Sequence, residues 1–285
     1  MFANLPLLCL SIIGLLTGAG LLHLLPRLGQ AGERLSKACC RAPFLDAVIF
    51  YFTVLPLILG PIVAGWPGLL SAVLAQLATL LIWQSIHEAL HRDALKGPRI
   101  IRVLTGKFGA FRVLAAAYIT GLATPIFWFA RLGELTIYPA LVLLVKLPSY
   151  NSAEWVNVSR HKFHGLVGHD LLWCLYCDWM TGVWSLGSEM LRNVESLACP
   201  IRFSCEKKCE NCAIDFPDVD NGWVKASGNM KDVAETLECM YPSSNEPQAW
   251  FGHRLRTTHP DRRPRHDCQN ASKHEPPASA RSDFE

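Results

Sequence analysis

Along this chain the apolar residues come in long unbroken runs, and not in the alternating or one-face patterns of a soluble fold. The runs cover residues 4–25, 47–65, 69–86, 113–130 and 135–147. The first four approach the ~20 residues that the hydrocarbon core of a bilayer requires. The fifth, about 13 residues long, rises only about 20 Å as a helix, so with its predecessor it suits a tilted, thinned or re-entrant hairpin. The pattern predicts a mainly α protein, a polytopic helical membrane bundle of four to five spans occupying residues 1–150. Beyond Pro148 the character changes. Residues 151–198 are aromatic and apolar but are interrupted by His, Asp and Cys. Each aspartate in hydrocarbon costs about 2.5 kcal/mol or more, so this segment reads as a cytoplasmic helix docked beneath the membrane domain. Residues 199–244 read as a small Cys-rich lobe. Residues 245–285, with Ser, Pro, Arg and His and almost no apolar period, are expected to be disordered.

Composition agrees: 51% of residues are hydrophobic and 18% charged, with a positive mean hydropathy, which excludes an ordinary soluble domain. Charge then orients the runs. Arg27, Arg34, Lys37 and Arg41 follow the first, and Arg92, Lys96, Arg99, Arg102, Lys107 and Arg112 follow the third. On the other side stand the uncharged "WPG" of residues 66–68 and a single cation, Arg131, in "RLGE", which reads as a turn. The positive-inside rule places the cation-rich loops in the cytoplasm. With an odd number of spans the N-terminus lies outside the inner or plasma membrane and the C-terminal half lies in the cytoplasm. The first run has no basic residues before it and no small-residue cleavage site, so it reads as an anchor. A net charge of +3 calls for no nucleic acid, since the loop cations answer to anionic lipid. Residues 99–111, "RIIRVLTGKFGAF", put Ile100, Leu104, Phe108 and Phe111 on one helical face, which suits a helix lying in the headgroup layer.

Candidate chemistry sits where the third run ends, in "QSIHEALHR". His87 and His91 are one turn apart on one helical face, and both imidazoles can reach a single metal. Glu88 points about 100° away from His87. As a zinc-peptidase motif this HExxH needs Glu88 as general base and a third ligand. As an iron site it needs further histidines, and without a metal the pair is satisfied by water or lipid phosphate. A second group, "RHKFHGLVGHD", offers His161, His164 and His169, with Asp170 opening the next helix. If the chain returns through a membrane hairpin, His87, His91, His161 and His164 come within about 10 Å of one another, a span consistent with shared metal ligation.

With these two groups on the page, residues 69–170 resemble the integral-membrane fatty acid desaturase and hydroxylase superfamily. HEALH is similar to that family's first histidine box, followed by a basic amphipathic stretch, and HKFH is similar to a reduced form of a later HxxHH box. The resemblance implies a metal-dependent oxidoreductase acting on a lipid acyl chain, with non-haem iron on His87, His91, His161, His164 and His169 and with Asp170, Asp178 or Glu88 completing the shell. It also implies electrons from a separate donor protein, since the chain shows no flavin or dinucleotide fingerprint. The alternatives are a membrane zinc metallopeptidase built on HEALH, or a non-enzymatic membrane anchor presenting a zinc lobe.

Eight of the eleven cysteines lie from Cys174 onward, in the half assigned to the reducing cytoplasm, where metal ligation is a better use than disulfides. Cys209 and Cys212 form a CxxC turn, and with Cys199 and Cys205 they offer four thiolates for a structural zinc, with an iron–sulfur centre or no metal as alternatives. Cys174 and Cys177 can bind metal or pack as small hydrophobes.

Overall fold

The computed structural model describes residues 4–202, 204 and 223–240. It is mainly helical and contains no strand among the described residues. The helices are α1 (Leu5–Leu24), α2 (Gly29–Cys39), α3 (Phe44–Thr53), α4 (Leu55–Leu90), α5 (Arg92–Leu95), α6 (Ile100–Phe108), α7 (Ala110–Gly121), α8 (Thr124–Val145), α9 (Ser152–Trp155), α10 (Gly168–Ala198) and α11 (Met230–Met240). Among the described residues three helical stretches are long and apolar enough to cross a membrane: Leu5–Arg27, Phe44–Leu90 and Ala110–Val145. Little of their apolar surface is buried inside the protein, as lipid-facing helices require. The chain forms two compact units, one of Met1–Ala130 with Asn151–Leu186 and one of Arg131–Tyr150 with Gly187–Glu285.

In the first unit, α1 begins where the Asn4 side chain accepts from the Leu7 N–H and Pro6 occupies the first turn, where its missing N–H costs nothing. The Phe44–Leu90 stretch folds back on itself. Gln76 donates from Nε2 to the carbonyls of Phe52 and Thr53 at 2.8 Å each, although an unbroken helix would hold residues 52 and 76 roughly 36 Å apart. The reversal occurs inside α4 at Ala64 and Gly65, whose backbone leaves the helical region. Gly65 has φ +57°, a conformation that favours glycine. Just below the turn Gly60 and Gly68 pack backbone to backbone, and a Cβ on either would overlap the other's carbonyl.

α1 lies alongside the second arm, in the same direction. The Asn4 N–H donates to Ser71 Oγ at 2.8 Å at one end, and His23 meets His87 and His91 at the other. Tyr51 on the first arm closes the middle by donating to the Gly14 carbonyl at 2.6 Å.

The bundle end marked by the histidines gathers the polar connections. α2 follows α1 there, and Cys40 and Ala42 pair with Val158 and Val156 through backbone hydrogen bonds. α10 starts at Gly168 against His87, and fourteen residues later Gly182 packs on the Trp155 carbonyl beside Val156. Its first half therefore runs roughly 21 Å across this end. Trp179 anchors it there, fully buried against Trp128 and donating to Asp46 Oδ1 at 3.4 Å.

The "RLGE" stretch corrects the sequence reading. It is no turn: α8 continues through it, and the helix break lies earlier, at Leu122 and Ala123. Arg131 and Glu134 can sit in mid-helix because they pair at 2.6 Å across one helical turn. The break falls just before "TP", since Pro125 fits the first turn of α8, where its missing N–H costs no helical hydrogen bond.

In the second unit, Tyr138 donates to the Pro148 carbonyl at 2.9 Å, and Asn193 donates to Tyr150 Oη at 2.6 Å. Val224 pairs with Ile201 in an isolated parallel bridge beside the buried Trp223.

The glycine contact gives a direct test of the hairpin. Gly68→Ala should lower the thermal unfolding temperature in detergent through a loss of about 1–3 kcal/mol, the usual cost of forcing atoms into filled space. Gly20→Ala, where a Cβ meets nothing within 4 Å, should leave it unchanged.

Candidate functional site at the histidine end of the bundle

HEALH forms the last turns of α4, which stops as His91 leaves the helical region. His87 is buried and His91 exposed. Their rings stack, with centroids 4.3 Å apart and planes 22° apart, and Trp83 stacks on the far face of the series at 4.8 Å from His87. His23, from the last turn of α1, stands edge-on to both at 6.0 and 6.4 Å. The structure thus brings three histidines together, one of which the motif reading did not single out. The available signal was an ionisable residue in an otherwise apolar span, which is functional by default.

The hydrogen bonds fix the tautomers. The Gly168 N–H donates to His87 Nδ1 at 3.2 Å, so the neutral His87 carries its proton on Nε2. His91 Nδ1 lies 2.9 Å from the His87 carbonyl, which can only accept, so His91 donates from Nδ1 and its neutral form has its lone pair on Nε2. The two rings therefore present opposite characters at Nε2, a donor on His87 and an acceptor on His91.

This arrangement does not suit a HEALH metal chelate. Imidazole lone pairs lie in the ring plane, and two nearly parallel stacked rings cannot aim both at an ion ~2 Å from each. His87 has moreover committed its neutral lone pair to Gly168. Among the described residues no group of three or more His, Cys, Asp or Glu side chains is placed to hold a metal ion.

Glu88 and Asp170, both read as possible ligands or catalytic groups, instead share one guanidinium. Arg99 Nη2 meets Glu88 Oε1 at 2.8 Å, and its Nε meets Asp170 Oδ2 at 2.7 Å. Nη2 also donates to the Val167 carbonyl at 3.1 Å. Arg99 and Asp170 are buried, and the Glu88 side chain is 32% exposed. Asp170 further accepts the Ile100 and Ile101 N–H groups at 3.1 and 3.0 Å, capping the otherwise uncapped N-terminus of α6 from seventy residues away. Burial works against its charge, but the neighbouring His169 ring, the hydrogen bonds from Arg99 and Ile101 and the charge of Arg99 outweigh that, holding the carboxyl down to about 2. Gly168 fits beneath this clasp because it has φ +53° and because a Cβ would overlap the Glu88 side chain.

The second histidine group reaches HEALH through Gly168, and not through its own imidazoles. His161 and His164 are exposed and make no ring contact with His23, His87 or His91. Although the His161 surface is exposed, partial desolvation by surrounding protein and then the Lys162 charge lower its pKa, against the pull of Asp178. Asp178 accepts from the Ser159 and Arg160 N–H groups at 2.8 Å each and pairs with Arg160 Nε at 2.9 Å, so its oxygens are engaged. His169 is half-buried, 3.7 Å from Asp170, and its Nδ1 has no hydrogen-bond partner. Cys174 and Cys177 are half-buried on α10, and Cys199 is exposed. Cys205, Cys209 and Cys212 lie outside the described residues, as does most of the expected zinc lobe. Comparison with family models, curated proteins and solved structures finds no match to this chain.

The clasp predicts a pH signature. Because the folded Asp170 pKa lies below its ordinary value of 3.8, the stability it contributes is fully present above about pH 4 and is lost as pH falls through about 2. Asp170→Asn leaves Arg99 buried with one carboxylate fewer. It should destabilise the protein by about 3 kcal/mol at neutral pH and flatten the acid limb of a pH–stability curve. Unchanged stability and an unchanged acid limb would show that the clasp contributes nothing.

Proposed function

We propose that this protein is an integral-membrane enzyme acting on lipid, with its site where HEALH meets the Gly168–Asp170 turn. The observation that carries the reading is the Gly168 N–H bond to His87 Nδ1, which joins the two histidine-bearing segments at one end of an apolar bundle. The bundle crosses the bilayer four or five times: α1 once, the two arms of the α3–α4 hairpin, and α7 with α8. The cation-rich connections lie in the cytoplasm, with the N-terminus outside and α10 beneath the inner face.

The resemblance to desaturases and hydroxylases supports oxidation of an acyl chain with dioxygen as the oxidant, non-haem iron as the centre that would activate it, and a separate protein supplying the two further electrons needed to reduce dioxygen to water. Since the HEALH pair offers no chelate as it stands, no step is assigned through a metal. The chain's own residues supply an acid–base pair at the boundary: His87 Nε2–H donates to a bound group, and His91 Nε2 accepts a proton from one. His23 stands next to both. The peptidase reading asks Glu88 to activate water, which its ion pair with Arg99 opposes.

The test is metal content beside turnover of membrane acyl chains, measured on the full chain in mild detergent with reductant supplied. Lipid oxidation that His91→Ala abolishes is the expected result, and iron in the same preparation identifies the metal. Zinc without lipid turnover would replace this reading by the peptidase or the zinc-lobe anchor on Cys199, Cys205, Cys209 and Cys212.

Orientation has its own test. A cytoplasmic reporter fused after Ser149 or Val224 should be active, whereas activity of a periplasmic reporter at the same positions would invert the scheme.

A further inference from the structure

The histidine end of the bundle carries three exposed segments that pair cations with large apolar side chains. α6 is the clearest. Its N-terminus is pinned by Asp170, yet none of its residues is buried. Val103 and Phe108 are more than half exposed, and Arg102 and Lys107 are exposed beside them. Ile101 and Thr105 are partly covered, but the rest of α6, with its large apolar side chains, is left for something beyond the described residues to cover.

α2 repeats the pattern, with Leu35 exposed between Arg34 and Lys37. The "HKF" segment does so again, with Lys162 next to Phe163, which is 71% exposed. Backbone bonds from Ala42 to Val156 and from Val158 to Cys40 tie this segment to the end of α2, and Gly168 ties its far side to His87. All three segments therefore lie at one end of the first unit. Among the described residues Arg34, Lys107 and Lys162 have no carboxylate within ion-pair distance. The opposite turn, "AGWPG" at residues 64–68, has no charge at all.

We infer that α2, α6 and the HKF segment form a docking surface for an anionic phospholipid leaflet. Their apolar side chains enter the acyl region, and their cations meet the lipid phosphates. An acidic protein would satisfy the cations but would leave the exposed aromatic and aliphatic groups to be matched separately. A leaflet matches both along the whole end of the bundle. HKF, which resembles a reduced histidine box, thereby gains a role that its exposed imidazoles do not need a metal to fill. The inference rests on the membrane reading and on no reaction, so failure of acyl-chain turnover leaves it standing.

The test compares amide exchange in peptides covering residues 100–112 and 160–164, using the full chain in nanodiscs of phosphatidylcholine alone or of equal parts phosphatidylcholine and phosphatidylglycerol. Exchange should slow by on the order of tenfold in the anionic discs, and raised salt should reverse much of the difference. Arg102→Gln, Lys107→Gln and Lys162→Gln, all at exposed positions, should each weaken the anionic preference about fivefold while leaving thermal unfolding unchanged. Adding inorganic phosphate to phosphatidylcholine discs should not reproduce the slowing. Equal exchange in the two discs would overturn the inference, as would slowing by phosphate alone. So would fast exchange in both discs, which would assign the surface to a protein partner.

Discussion

The Arg99 guanidinium holds this end of the protein together. A buried cation is costly in a low-dielectric interior unless its charge and its donors are met, and here two carboxylates and a carbonyl meet them. The carboxylates come from the end of α4 and the start of α10, so one side chain decides how those helices abut. The same geometry lays α6 against Asp170 and delivers the Gly168 N–H to His87. The histidine junction is thus a product of this ion cluster. Glu88, the most suggestive residue of HEALH, is part of the clasp.

What was legible in the chain follows the range over which each signal acts. The apolar runs and the uncharged "WPG" are local, and α1 and the hairpin appear close to where those runs lie. The helical spacing of His87 and His91 is local too, and the two rings do share a face. "RLGE" misled because a polar pair inside an apolar stretch looks like a turn, whereas Arg131 and Glu134 neutralise each other across one helical turn. The break lay instead at Leu122 and Ala123, just before Thr124 and Pro125, a helix-start signal present in the sequence. The cap of α6 could not be read at all, since no polar residue stands at its N-cap and the carboxylate arrives from Asp170. His23 went unread for a related reason: its partners lie more than sixty residues away.

A motif fixes which side chains share a helical face, and the neighbours fix what their atoms do. In HEALH the same two histidines could have turned paired lone pairs toward one point. A glycine amide on one ring and a carbonyl on the other instead make them unlike at Nε2. Stacking with Trp83 then holds His87 in that plane. The chemistry available at this end is therefore set by two backbone groups as much as by the histidines.

The partners of α1 also bear on how the protein is made. α1 leaves the ribosome well before the arm against which it rests, because Asn4 finds Ser71 and His23 finds His87 only after the whole hairpin has been synthesised. Throughout that interval an α1 inserted in the bilayer would stand there alone. Its composition allows this, since the helix satisfies its own backbone and its single buried residue, Leu15, is as content among lipid tails as against protein. The translocon can therefore release α1 sideways at once, and the later hairpin docks onto a helix already in place.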